Sequence, residues 1–95
     1  MPISHIRQHV HITWRMRKNI HTDQHRLLIA LLREMRIKAG LTQSELATRI
    51  GKDQTFVSKY ESGERRLDVL ELREICQAIG ISLEGFVRKL EKALI

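Results

Sequence analysis

Apolar residues recur at steps of three and four through Leu28, Leu31, Leu32, Met35 and Ala39, the stripe of an amphipathic helix. Thr22 or Asp23 lies where such a helix opens, and Gly40 lies just past its end. Thr42 and Glu45 then form a T-x-x-E capping box, which starts a short helix turning Leu46, Ala47 and Ile50 inward before Gly51 stops it. Asp53 is placed to cap the next helix, Gln54 to Tyr60, with Val57 and Tyr60 as its inward residues. A charged turn, ESGERRL, separates this pair from a fourth helix that begins at Asp68 with Glu71 and carries Val69, Leu72, Ile75, Cys76 and Ile79. Gly80 ends that helix, and Ser82 caps a fifth with Leu83, Phe86, Val87, Leu90 and Leu94 on one face. Five helices without a convincing strand predict an all-α domain over residues 23–95, with the paired short helices at 42–61.

Residues 1–22 do not fit this pattern. They hold His5, His9, His11 and His21, the only tryptophan, and an alternating HVHITWRM stretch. Alternation suits a strand, but an isolated strand has nothing to pair with, so a flexible basic extension is expected. Met16 can serve as the true start, because every residue the core needs lies after it.

At 95 residues the chain accommodates one small core and no second catalytic or sensor domain, so action by binding or association is expected. Its net charge of +6 is uneven: residues 1–22 carry four Lys/Arg and no acid, 23–66 carry nine against six, and 67–95 carry four against five. A cationic surface attracts a polyanion by counterion release, which on charge alone suits DNA, RNA or an anionic membrane. Cys76 is the single cysteine and sits in an apolar stripe, which excludes a disulfide framework and fits a reducing cytoplasm. No apolar run reaches the length of about 18 that spans a bilayer, and the N-terminus has no signal-peptide core.

The outward residues of the paired helices carry the candidate chemistry. Gln54 and Thr55 begin the second short helix, where a glutamine amide can bond adenine and a threonine can touch a thymine methyl or a phosphate. Ser58 and Lys59 face the same way one turn on, and Gln43 can present its amide to a phosphate. Phe56 is an outward aromatic that either packs on a thymine methyl or sugar edge or folds back on the turn. Arg65 and Arg66 are adjacent guanidiniums with the look of a phosphate clamp. Arg36 and Glu61, each at the inner edge of its helix, are expected to form a structural ion pair.

Catalysis finds no support: there is no phosphate loop, no nucleophile beside a base and no paired acids. His5, His9 and His11 lack a fourth ligand, so neither a metal nor another cofactor is expected.

The stretch from Leu31 to Val87 resembles the Cro and phage-repressor (XRE-type) helix-turn-helix family, through G-L-T-Q-x-E-L-A, a glycine before the turn, V-S-K-x-E-x-G and a late I-G-I-S-L. The resemblance implies a five-helix lambda-repressor-like bundle that binds operator DNA, commonly as a dimer, and regulates transcription, often as a repressor. It places the phosphate-anchoring glutamine on Gln43, base readers on Gln54, Thr55 and Lys59, loop phosphate contacts on Arg65 and Arg66, and the structural pair on Arg36 and Glu61. The chain departs from the family in its outward Phe56, in lacking a proline after Arg66 and in its His-rich extension. The expected partners are double-stranded DNA and a second copy meeting at Leu90, Leu94 and Ile95, unless those residues only close the monomer core. An antitoxin, a restriction-system controller or a protein-interaction module that has lost DNA binding are the rival readings.

Overall fold

The computed structural model describes the backbone of residues 17–95 and the side chains of residues 23–95. Among these residues the chain forms five helices and no strand: α1 Arg17–Lys38, α2 Gln43–Arg49, α3 Gln54–Glu61, α4 Val69–Ile79 and α5 Leu83–Leu94. All five were expected from periodicity, and four of the boundaries fall within a residue or two of their caps. The exception is α1, which begins at Arg17 and therefore takes in residues 17–22 that the sequence reading assigns to the extension. Helical backbone there precedes the first apolar stripe residue, so periodicity had nothing to register. His5, His9, His11 and the HVHITWRM segment lie outside the described residues.

The caps act as the sequence requires. Thr42 Oγ1 accepts from the Glu45 amide at 3.0 Å, and the Glu45 carboxylate accepts from the Thr42 amide at 2.8 Å. Asp68 and Glu71 reciprocate in the same way at 2.8 and 3.0 Å. Asp53 and Ser82 cap α3 and α5. The turn between α2 and α3 depends on Gly51, whose φ of +71° lies in the left-handed region that side chains with a Cβ disfavour. It lets the Lys52 amide reach back to the Ala47 carbonyl at 2.9 Å, closing α2 and swinging the chain into α3.

The core joins Ile29 and Leu32 of α1, Leu46 and Ala47 of α2, Val57 and Tyr60 of α3, Ile75 and Cys76 of α4, and Phe86 of α5. Helix α2 packs on α3, α1 against α3 and α5, and α4 against α2 and α5. Two buried residues on α1 were not in the predicted stripe. Ile29 and Arg36 face inward with Leu32, whereas Leu28, Leu31 and Met35 are only partly buried and Ala39 is exposed. Val69, expected inside, is 61% exposed beside Leu70 at 69%, both in the first turn of α4, whose buried residues Ile75 and Cys76 come later. Val87 is likewise exposed. Burial pushes the Cys76 thiol up to about 11, which makes it a packing group.

Candidate nucleic-acid interface

Helix α3 has two unlike sides. Val57 and Tyr60 are fully buried, which anchors the rod to the core, and Gln54, Thr55 and Lys59 are exposed. Ser58 is half-buried between the two sides. Gln54 and Thr55 lie in the first turn of the helix, where unpaired amides and the dipole favour a phosphate or an acceptor, and Lys59 lies in its last turn. Thr55 Oγ1 donates to Asp53 Oδ1, a bond that with the Phe56 amide holds the Asp53 carboxyl below its ordinary value. Its hydroxyl proton is therefore committed locally.

Beneath α3 lies the expected ion pair. Arg36 Nε donates to Glu61 Oε2 at 2.7 Å and its Nη2 to Oε1 at 3.0 Å, with side chains 9% and 3% exposed. The third guanidinium nitrogen, Nη1, donates to the Leu41 carbonyl at 2.8 Å, so Arg36 ties α1 to α3 and to the loop before α2. Its bond to Glu61 raises the guanidinium pKa above an already high value, so the charge is permanent.

Gln43 is placed differently from the expectation of a free phosphate anchor. Its Nε2 donates to Glu61 Oε1 at 2.9 Å, and its Oε1 accepts from Gln54 Nε2 at 2.7 Å. A continuous polar chain thus runs from Arg36 through Glu61 and Gln43 to Gln54, linking residues that are far apart in the sequence.

The structure corrects the expectation that Arg65 and Arg66 form one clamp. Arg65 makes a two-pronged bond to Glu71 at 3.0 and 2.8 Å, and its guanidinium carbon sits 4.7 Å from the Phe56 ring centre. These bonds, with the Asp68 amide, depress the Glu71 carboxyl to about 2. Arg66 is exposed, and its charge acts instead on His25 of α1, whose imidazole is held below its ordinary range by burial and then by Arg66. The adjacent guanidiniums diverge because Glu71, the third residue of the α4 capping box, captures one of them.

Phe56 folds back rather than standing free. Its ring meets Tyr60 edge to face at 5.7 Å and lies between Arg65 and Lys52, whose Nζ is 5.4 Å from the ring centre. Lys52 and Glu71 are parts of this surface that sequence reasoning passed over. Glu71 had a visible signal as a capping-box acid, but its reach to Arg65 depends on how the loop folds. On α5, Leu90 packs against the core, whereas Leu94 is exposed and Ile95 is 92% exposed.

Two short helices joined by a glycine turn, the first capped by T-x-x-E and the second displaying polar side chains above a buried ion pair, define a helix-turn-helix domain. A family model described as helix-turn-helix matches residues 32–86. Among solved structures, an XRE-family like protein from Pseudomonas syringae pv. tomato str. DC3000 superposes with a TM-score of 0.77 at 46% identity, covering 82% of this chain and 95% of that one. The restriction-modification controller protein C.Esp1396I, solved as a tetramer in complex with its natural 35 base-pair operator, aligns with a TM-score of 0.69 at 25% identity over 75% of this chain and 93% of its own. The uncharacterized HTH-type transcriptional regulator y4dJ of Sinorhizobium fredii (strain NBRC 101917 / NGR234) is 37% identical over 60 residues, which are 63% of this chain and 78% of that protein. The chain belongs to the XRE-type helix-turn-helix family.

Proposed function

We propose that the protein is a sequence-specific DNA-binding transcriptional regulator that lays α3 in the major groove, acts by binding alone and works in the cytoplasm as a repressor. The observation that carries this reading is the exposed, polar face of α3, with Gln54 and Thr55 in its first turn and Lys59 in its last turn outward while Val57 and Tyr60 lock the helix to the core. Gln54 and Thr55 contact base edges, Ser58 and Lys59 follow along the groove, and Gln43 and Arg66 meet the backbone. Arg65 and Phe56 act mainly as a braced shelf at the rim of this surface, where the Arg65 charge still attracts phosphate.

The regulator works as a homodimer on two half-sites about one helical turn, ~34 Å, apart, since one small domain reads too few bases for useful specificity. Exposed Leu94 and Ile95 support a contact through α5, with Leu90 contributing from beneath as a core residue. Likeness to C.Esp1396I favours a second reading, a controller of a restriction-modification system, which has the same DNA-binding chemistry.

Selection of bound duplexes from a random DNA pool tests the proposal. A recovered palindromic site with half-sites one helical turn apart is the expected result. Recovery of no preferred sequence would overturn it.

A further inference from the structure

One side of α1 is left uncovered next to the end of α3. Ile29, Ala30, Arg33 and Ile37 follow one another along it and, with Ser62 and Gly63 just past α3, wall a groove of about 600 Å³. Sites for small molecules commonly enclose about 300–1,000 Å³. Ile29 reaches the core, whereas Ile37 is 52% exposed, so the wall offers apolar surface that the bundle leaves in water. Charged side chains stand among these apolar ones, and not all of their charge is available. Glu61 is satisfied by Arg36 and Gln43, and Arg26 lies 3.8 Å from Asp23. Arg33 and Lys38 then face Glu34, a surplus of one positive charge. Among the described residues the acid within 4.0 Å of Arg33 is the already satisfied Glu61, so the Arg33 fork, 61% exposed, can take a planar anion in both prongs. A second negative charge on the same molecule would be repelled by Glu34 and Glu61, and a cation would meet Arg33 and Lys38.

We propose that this groove is an effector site for a small monocarboxylate with an apolar body: Arg33 holds the carboxylate, Ile29, Ala30 and Ile37 cover the body, and occupancy weakens DNA binding. The link to DNA is electrostatic and short. His25 also lines the groove, and the Arg66 charge acts on its imidazole, so an anion bound here offsets the field of a cation assigned to the DNA backbone. Ser62 and Gly63 follow directly from α3, which places the anion beside the end of the helix that enters the groove of the duplex. Coupling between two sites is reciprocal, so the duplex loosens the carboxylate by the same factor. The regulatory half of the inference rests on the reading of the protein as a DNA-binding regulator; the site itself does not.

Octanoate is the probe, titrated into the full chain at an ionic strength held constant with sodium chloride. Saturable binding at about 1 mM or tighter is expected of some ten non-hydrogen atoms, with a rise in Tm as the native state is occupied. 1-Octanol, octylamine and acetate each lack the charge, its sign or the apolar body, and each should bind at least about tenfold more weakly. Arg33→Gln should weaken octanoate by a similar factor, and Ala30→Phe should fill the groove and abolish binding while DNA affinity is kept. On the duplex selected from a random pool, saturating octanoate should weaken the wild type roughly fivefold or more and leave Ala30→Phe unmoved. No saturable binding, octylamine bound as tightly as octanoate, or octanoate affinity undiminished in both variants would overturn the proposal. So would a duplex affinity that saturating octanoate does not change. If octanoate binds as described and no duplex is selected at all, the site stands and the DNA reading falls.

Discussion

Arg36→Met should be the most damaging single polar substitution in this domain. It strips two bonds from a Glu61 carboxylate that is 3% exposed, leaving it with Gln43 and the Arg33 Nε at 4.0 Å, and it removes the 2.8 Å donor from the buried Leu41 carbonyl. Breaking a buried pair from one side costs about 3–5 kcal/mol, because an uncompensated charge stays behind in low dielectric. Domains of this size have total stabilities of about 5–15 kcal/mol and lose roughly 4–8 °C per kcal/mol, so a fall of ~12–40 °C in Tm is expected. Removing both charges in Arg36→Met/Glu61→Met should recover most of that loss, since apolar side chains of similar size replace buried pairs at little cost. A residue of about 1–3 kcal/mol should remain for the orphaned Leu41 carbonyl. Urea unfolding followed by far-UV circular dichroism measures all three variants. A loss under about 1 kcal/mol in the single variant, or a double variant less stable than the single, would show that the pair is solvated in solution and refute the reasoning.

Other perturbations probe separate parts of the molecule. The Glu71 carboxyl is depressed from its ordinary 4.5 to about 2, so its pairing with Arg65 stabilises the fold fully above pH 4.5 and is lost as pH falls toward 2. In an acid titration of stability, Glu71→Gln should show a flatter limb over that window, by a small amount because Arg65 is solvent-screened. Affinity for the selected duplex should fall with salt at a log-log slope near −0.9 per phosphate neutralised, and Arg66→Ala should weaken all sequences alike and make that slope shallower by about one such step. Deleting residues 1–15 should leave melting temperature and DNA affinity nearly unchanged, because among the described residues the buried core begins at Ile29.

The particular residues show where sequence reasoning succeeds. Capping boxes at Thr42/Glu45 and Asp68/Glu71, stop glycines at 51 and 80, and the apolar spacing of Leu46, Ala47, Val57 and Tyr60 are local signals, and each produced the element it announced. The Arg36–Glu61 pair was also legible, since polar residues at the inner edges of two amphipathic helices have few other partners. By contrast, the capture of Arg65 by Glu71 and the bonds of Gln43 had no signature in the chain, and the chain left two placements of Phe56 open, of which packing chose the fold-back. Each depends on a side chain choosing among neighbours brought within 3 to 6 Å by packing, and a turn with several charges leaves those choices open until the loop has a shape.

For this protein, then, residue order alone determined the helices, their ends and the side of α3 that faces outward, because hydrogen bonding and burial at steps of three and four are properties of a segment by itself. Only the assembled bundle decided that Arg65 pairs with Glu71, that Gln54 bonds Gln43, and that Val69 and Leu70 stay in water. Those outcomes are set by distances between helices, and a carboxylate, an amide and an aromatic ring act on one another only after the core has placed them side by side.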